Sequence, residues 1–278
     1  MIITRELIEN FKHYLIEEEK SSATLEKYMR DVTAFFVWLD ESKLDKIAVL
    51  RYKEHLLMNY APASVNSVLS SLNSFFEYNE WHCLKVKMLK IQKQIFASKD
   101  KELTKAEYER LLKTAKDKKN ERLYYLMQTI CSSGIRVSEL SAITMDAVKE
   151  RKATINCKGK MRVVILPKDL CKLLLEYAKG QKITSGPVFV TRTGKPLDRS
   201  TIWKMMKALC ESAGVDRDKV FPHNLRHLFA RTYYSIQKDI VRLADILGHS
   251  SINTTRIYTM ETGDVHRRQI QKLGLLRL

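Results

Sequence analysis

The chain is poor in the residues that mark special architectures. It has 9 glycines and 5 prolines among 278 residues, which excludes collagen-like and low-complexity folds. Its five cysteines, Cys83, Cys131, Cys157, Cys171 and Cys210, are odd in number and form no close pair. That argues against a disulfide framework or a zinc ribbon and for reduced thiols in a cytosolic protein. No run approaches the roughly 20 apolar residues that a membrane span needs. The first residues, Met1 to Glu6, lack a basic region followed by an apolar one, so no secretory signal is expected. A disordered chain is excluded as well, because 45% of the residues are hydrophobic.

What is abundant is positive charge. Lysine and arginine number 49 against 32 acidic residues, a formal net charge of +17. Such an excess points to a polyanionic partner, nucleic acid above all. Its distribution is uneven. Residues 1–97 hold 13 basic and 13 acidic side chains, whereas residues 98–278 hold 36 and 19. The whole excess therefore lies in the second part of the chain.

The length suits one or two domains. All nine glycines occur at or after Gly134, and Pro62 is the only proline before that point. The first part consequently reads as helices with short connections. Apolar residues recur at helical spacing over 4–18 (Leu7, Ile8, Phe11, Tyr14, Leu15) and over 22–39 (Leu25, Tyr28, Met29, Val32, Phe35, Phe36, Leu39). A third helix near 45–59 carries Ile47, Leu50 and Leu57. A fourth, from Pro62, carries Val65, Val68, Leu69, Leu72, Phe75 and Phe76. Its other face is small and polar: Ser64, Asn66, Ser67, Ser70, Ser71, Asn73 and Ser74. Ser64, Ser67, Ser71 and Ser74 are candidate DNA contacts, since such side chains let a phosphate backbone come close; a plain solvated face is the alternative.

From Lys85 to Lys105 the chain turns basic and loses periodicity. A new helix is expected after the capping box Thr104-x-x-Glu107. The division predicted is a helical domain over 1–90, a linker over 91–101 and a second domain over 102–278. The second domain reads as mainly helical with a small β insertion. Residues 153–156 and 162–166 form a hairpin around Lys158-Gly159-Lys160, and Val188–Thr191 is a further short strand.

Several segments of the second domain form an ordered set: Ser133-Gly134-Ile135-Arg136-Val137-Ser138-Glu139-Leu140, then Lys158-Gly159-Lys160, then His223-Asn224-Leu225-Arg226-His227, then Leu247-Gly248-His249, and last Tyr258. The set resembles the tyrosine recombinase (phage integrase) family, above all its compact Xer-type and mobile-element members, over nearly the whole chain. The fold this resemblance implies is mainly α with a small β-sheet insertion. It comprises a helical core-binding domain and a mixed α/β catalytic domain.

The residue types suit phosphodiester cleavage. A tyrosine hydroxyl, with an ordinary pKa of about 10, can attack phosphorus once cations or a base activate it, which suits Tyr258. Arg136 and Arg226 carry permanent charge in a fork that matches two phosphate oxygens. Taken alone, Arg136 also reads as an ion-pair partner of Glu139. The resemblance makes His223 the acceptor of the tyrosine proton, His249 a hydrogen-bond donor to phosphate, and Lys158 the general acid for the 5′ oxygen. The hairpin departs from the family pattern Gly-Lys-Gly-x-Lys-x-Arg. It reads Cys157-Lys158-Gly159-Lys160-Met161-Arg162, one residue shorter and with cysteine for the first glycine. Lys158 is favoured over Lys160 as the acid because it precedes the turn glycine. Lys160 and Arg162 are candidate DNA contacts.

A metal site at His223, His227 and His249 is disfavoured, because position 224 is Asn where a zincin has Glu, and Arg226 would stand beside the cation. His227 reads as structural. No Walker-type loop occurs, and no cofactor is expected. The resemblance implies double-stranded recombination sites as partner, a dimer per site, a homotetramer on DNA, and a cytoplasmic, nucleoid-associated protein. It also implies that the apolar tail, with Leu273, Leu275, Leu276 and Leu278, docks on a neighbouring subunit, although docking in cis is the simpler reading. The competing functions are a type IB topoisomerase-like enzyme and a non-catalytic DNA-binding protein.

Overall fold

The computed structural model describes residues 5–40, 43–91, 101–157, 160–259 and 271–273. The chain forms two compact units, residues 1–93 and 94–278. Residues 92–100 of the expected linker lie outside the described residues, as do Lys158, Gly159 and most of the tail. No helix of the described residues is long and apolar enough to cross a membrane.

Four helices build the first unit: α1 (Arg5–Glu17), α2 (Ser22–Leu39), α3 (Lys46–Asn59) and α4 (Pro62–Tyr78). Local chemistry sets their ends. The Ser21 hydroxyl accepts from the Thr24 N–H, Asp45 accepts from the Ala48 N–H, and Pro62 opens α4, where its missing N–H costs nothing. Phe11, Leu15, Val32, Phe35, Leu69, Leu72, Phe75 and Phe76 are fully buried. Phe11 meets Phe75 edge to face at 5.1 Å.

The structure corrects the expected face of α3. Ile47, Leu50 and Leu57 are exposed, and Val49, Tyr52 and Leu56 are buried instead. This helix is apolar on nearly every side, so its own sequence singles out no stripe, and packing chooses one.

The polar face of α4 is largely occupied by the protein itself. Asn66 exchanges two hydrogen bonds with the backbone of Leu89, and Asn73 does the same with Val86. Each side-chain amide thus stands in for a strand neighbour of the extended segment after residue 84. Ser71 is fully buried; it donates to the Asp31 carboxylate and accepts from the Lys27 ammonium, both at 2.8 Å. Ser71 is therefore closed to DNA, contrary to expectation. Ser64 is exposed, and Ser67 and Ser74 are half-buried.

The second unit begins with α5 (Lys105–Asp117), whose capping box is complete: Glu107 N–H donates to the Thr104 hydroxyl, and Thr104 N–H donates to the Glu107 carboxylate. Then follow α6 (Glu121–Ser133), a 3-10 turn (Val137–Ala142), α7 (Met145–Glu150), the antiparallel strands β1 (Lys152–Cys157) and β2 (Lys160–Ile165), and α8 (Lys168–Gly180). After α8 come α9 (Arg199–Lys207), α10 (Cys210–Ala213), α11 (Pro222–Gln237), α12 (Ile240–Leu247), α13 (Ile252–Thr255) and a 3-10 turn (Arg256–Tyr258). Helix α6 sends Leu123, Leu126, Met127 and Ile130, all fully buried, into the unit's core.

The hairpin alternates as a half-buried sheet should. Ala153, Ile155 and Val164 face the core, and Met161, Val163 and Ile165 face solvent. The expected strand Val188–Thr191 is absent. The segment makes only isolated bridges, Thr144 with Pro187 and Val190 with Pro196. A proline in each bridge removes the N–H that would extend the ladder.

Candidate active site

Helix α6 ends because Gly134 adopts a left-handed conformation, φ +63°, and returns its N–H to the Ile130 carbonyl. A Cβ there would lie 2.5 Å from the Phe229 ring, so the position needs glycine twice over. The reversal delivers Arg136 two residues later. Its backbone N–H and its Nη1 both donate to Glu139, at 2.9 and 3.0 Å, and its Nη2 donates to the Gly248 carbonyl at 3.2 Å.

Arg226 comes from α11 and is 2% exposed. Its Nη1 donates to the Gly134 carbonyl, and its Nη2 donates to the Leu247 carbonyl at 2.7 Å and lies 3.1 Å from His249 Nε2. A guanidinium only donates, so His249 Nε2 accepts. The proton then sits on Nδ1, which lies 2.8 Å from the Thr255 hydroxyl. Burial, and then the charge of Arg136, lower the Arg226 pKa to about 10, which still leaves it protonated at neutral pH.

Arg162 reaches the same place from β2. It donates to Glu139 at 2.5 Å and to the Ile246 carbonyl at 3.0 Å. Three arginines thus take three successive carbonyls, Ile246, Leu247 and Gly248, at the C-terminus of α12. A helix C-terminus leaves such carbonyls unpaired and carries partial negative charge, so it suits cations. Glu139 is the carboxylate that Arg136 and Arg162 share. Burial alone would raise its pKa, but hydrogen bonds from Arg136 and Arg162 outweigh that and hold it below the usual range. Three guanidinium charges against one carboxylate leave the site with a positive surplus.

Tyr258, on the last 3-10 turn, is buried at 3% exposure. Its ring meets His227 edge to face at 4.5 Å and stacks on His249 at 5.9 Å, and its phenol is close enough to Arg226 to act on that group's charge. His223, one helical turn before His227 on α11, touches it at 4.6 Å. His223 is exposed at the surface. Partial desolvation of its ring, then the charges of Arg226, Arg199 and Arg136, lower its pKa. Burial, followed by neighbouring positive charge, brings His227 and His249 to about 4, so both are neutral at physiological pH. The Nδ1 of His227 is buried with no hydrogen-bond partner among the described residues.

The fold therefore gathers Arg136, His223, Arg226, His249 and Tyr258 from four separate stretches of chain. Lys158 lies outside the described residues, and so does the side chain of Lys160. Arg162, expected to contact DNA, is instead held inside, its side chain 15% exposed. Two members of the site carry little signal in the sequence. Glu139 stood only as an ion-pair partner, although its spacing from Arg136 is what closes the turn. Thr255, which orients His249, carried no signal beyond its place three residues before Tyr258.

This arrangement can bind a tetrahedral anion between Arg136, Arg226 and the tyrosine hydroxyl. Comparison with known proteins agrees. Residues 101–263 match the phage integrase family, and residues 8–82 match the phage integrase N-terminal SAM-like domain. The chain is 31% identical to tyrosine recombinase XerA of Thermococcus kodakarensis, over 98% of this chain and 96% of that protein. It is 28% identical to tyrosine recombinase XerD of Listeria monocytogenes, over 92% and 94%. Among solved structures, the lambda integrase dimer bound to a COC′ core site shares the fold with a TM-score of 0.76, at 17% identity over 94% of this chain and 97% of that one. XerH recombinase bound to its difH substrate matches with a TM-score of 0.71, at 19% identity over 98% and 85%. With its two family domains in order and its arginines, histidines and tyrosine gathered in one cluster, the chain belongs to the phage integrase family and is a tyrosine recombinase.

Proposed function

We propose that this enzyme recombines double-stranded DNA at specific sites, cutting and rejoining strands through a 3′-phosphotyrosine. The Tyr258 oxygen attacks the phosphorus and forms the P–O bond, while the bond to the 5′ oxygen breaks. His223 takes the tyrosine proton, and Lys158 gives one to the departing 5′ oxygen. Arg136 and Arg226 hold the non-bridging oxygens as charge builds on them, and His249 joins them as a donor once its Nε2 exchanges the Arg226 contact for a proton. A 5′ hydroxyl from the partner strand then attacks the phosphotyrosine and reverses the steps. The covalent bond preserves the energy of the phosphodiester, so no nucleotide need be hydrolysed. The enzyme works as a dimer per site and a tetramer across two sites, in the cytoplasm at the nucleoid.

The observation that carries this reading is Tyr258 beside Arg226 and His249 in a site with surplus positive charge. The test is a nicked suicide substrate, whose cut strand diffuses away and leaves protein on the 3′ end. Tyr258→Phe is expected to bind the DNA with near-normal affinity and to trap none of it. Covalent product from that variant would refute the assignment.

A further inference from the structure

The catalytic scheme draws on Arg136 and Arg226 but gives no task to the third arginine of the cluster. Arg162 is neither a surface residue nor a core one. Its guanidinium spans two acceptors that belong to different parts of the site, the Glu139 carboxylate and the Ile246 carbonyl. Its Nε is buried without a partner, so the fork is held by its two ends alone. Its stem lies so close to Gly248 that a Cβ added there would stand 2.3 Å from Arg162 Cδ. Gly248 is itself left-handed, φ +61°, and immediately precedes His249.

Arg162 therefore sits where three things meet. On one side is Glu139, which holds Arg136. On another is the α12 terminus, which holds Arg226 and turns into His249. The third is β2 itself, whose first residue, Lys160, pairs with Cys157 across the hairpin and stands two positions after Lys158 in sequence. A two-stranded hairpin has little stability of its own and takes its position from what it packs on. Met161, Val163 and Ile165 point to solvent on the opposite face of β2. Of the β2 side chains described, Arg162 is the one with hydrogen bonds to the site.

We propose that Arg162 is a positioning residue: it fastens the hairpin to Glu139 and to the α12 terminus, and so sets the hairpin lysine against the leaving 5′ oxygen. This rests on the reading that the general acid belongs to the hairpin, at Lys158 or Lys160. Arg162 touches no substrate; it acts through the lysine, and a shift of about 1 Å in such a group can cost on the order of 10²-fold in rate. Lysine cannot replace it, because one ammonium lacks the rigid fork that reaches two acceptors at once.

The test compares single-turnover cleavage of two suicide substrates. One carries the natural 5′ oxygen. The other carries a 5′-bridging sulfur, whose thiolate leaves without a proton. Arg162→Met keeps the stem against Gly248 and removes the fork. It is expected to slow cleavage of the oxygen substrate by roughly 10–10²-fold and to cleave the sulfur substrate at nearly the wild-type rate. Arg162→Lys should show the same pattern to a smaller degree. An equal loss on both substrates would mean general damage to the site or fold, and would overturn the proposal. Lys158→Ala and Lys160→Ala are measured alongside. If one of them is rescued by sulfur and Arg162→Met is not, the positioning role alone falls. If neither lysine variant is rescued, the hairpin-acid reading fails and the proposal falls with it.

Discussion

At the scale of single residues, the site separates arginines that hold the fold from arginines that face the substrate. Arg226 is buried and satisfies the Gly134 and Leu247 carbonyls, whereas Arg136 is 39% exposed and shares Glu139 with Arg162. Both variants to alanine are expected to lose about 10²–10³-fold in cleavage rate, the usual loss for one preorganised donor. Only Arg226→Ala should also unfold more easily, by about 2 kcal/mol, because it strands buried carbonyls. Arg136→Ala leaves Glu139 its second partner and should cost less than about 1 kcal/mol. Parallel denaturant titrations and single-turnover assays separate the two effects. The histidines make a pH prediction. His227 and His249 have pKa values of about 4 in the folded protein, below the ordinary value of about 6.5. Between those values the unfolded chain binds more protons than the folded one, so stability falls as pH drops from about 6.5 toward 4. Denaturation midpoints measured across that window should decline, and His227→Gln should flatten the decline. A midpoint independent of pH there would show that the two rings are not buried neutral.

Single elements place those residues. Gly134 ends α6, supplies a carbonyl to Arg226 and starts the turn that carries Arg136. Gly134→Ala combines a left-handed φ with a 2.5 Å approach to Phe229, and is expected to destabilise by more than about 1 kcal/mol. It should also lower cleavage, because the carbonyl and Arg136 move with the backbone. Unchanged stability, read from the denaturant midpoint at constant slope, would contradict the packing described. The capping box before α5 was readable in advance, because a cap joins neighbours in sequence and depends on nothing distant. The buried face of α3 was not. Val49, Tyr52 and Leu56 face inward because helices α2 and α4 pack on that side, and nothing within residues 46–59 encodes where those neighbours stand.

At the scale of the whole molecule, charge governs the encounter with DNA. The net charge of +17 falls wholly within residues 98–278, while residues 1–97 are balanced. Displaced counterions make such binding salt-dependent. With around six phosphate contacts, affinity should fall by about 10³-fold between roughly 50 and 200 mM salt. Mobility-shift titrations across that range measure the slope, and a flat response would contradict the electrostatic reading. A fragment of residues 1–97 should bind far more weakly than the full chain.

The sequence by itself determined the four helices of the first unit, the capping box at Thr104, the hairpin, and the ordered residues Arg136, His223, Arg226, His249 and Tyr258. These depend on local periodicity, on caps, and on spacings along the chain. Only the tertiary structure decided which polar residues were already engaged. Ser71 is spent on Asp31, Asn66 and Asn73 on the segment after α4, and Arg162 on Glu139 and Ile246. Each of these pairs joins residues between 13 and 84 positions apart. A serine or an arginine looks the same in sequence whether it ends at water, at DNA or at a buried carboxylate. The partner is chosen by burial, which strands any polar group left unpaired and so selects the packing that pairs them.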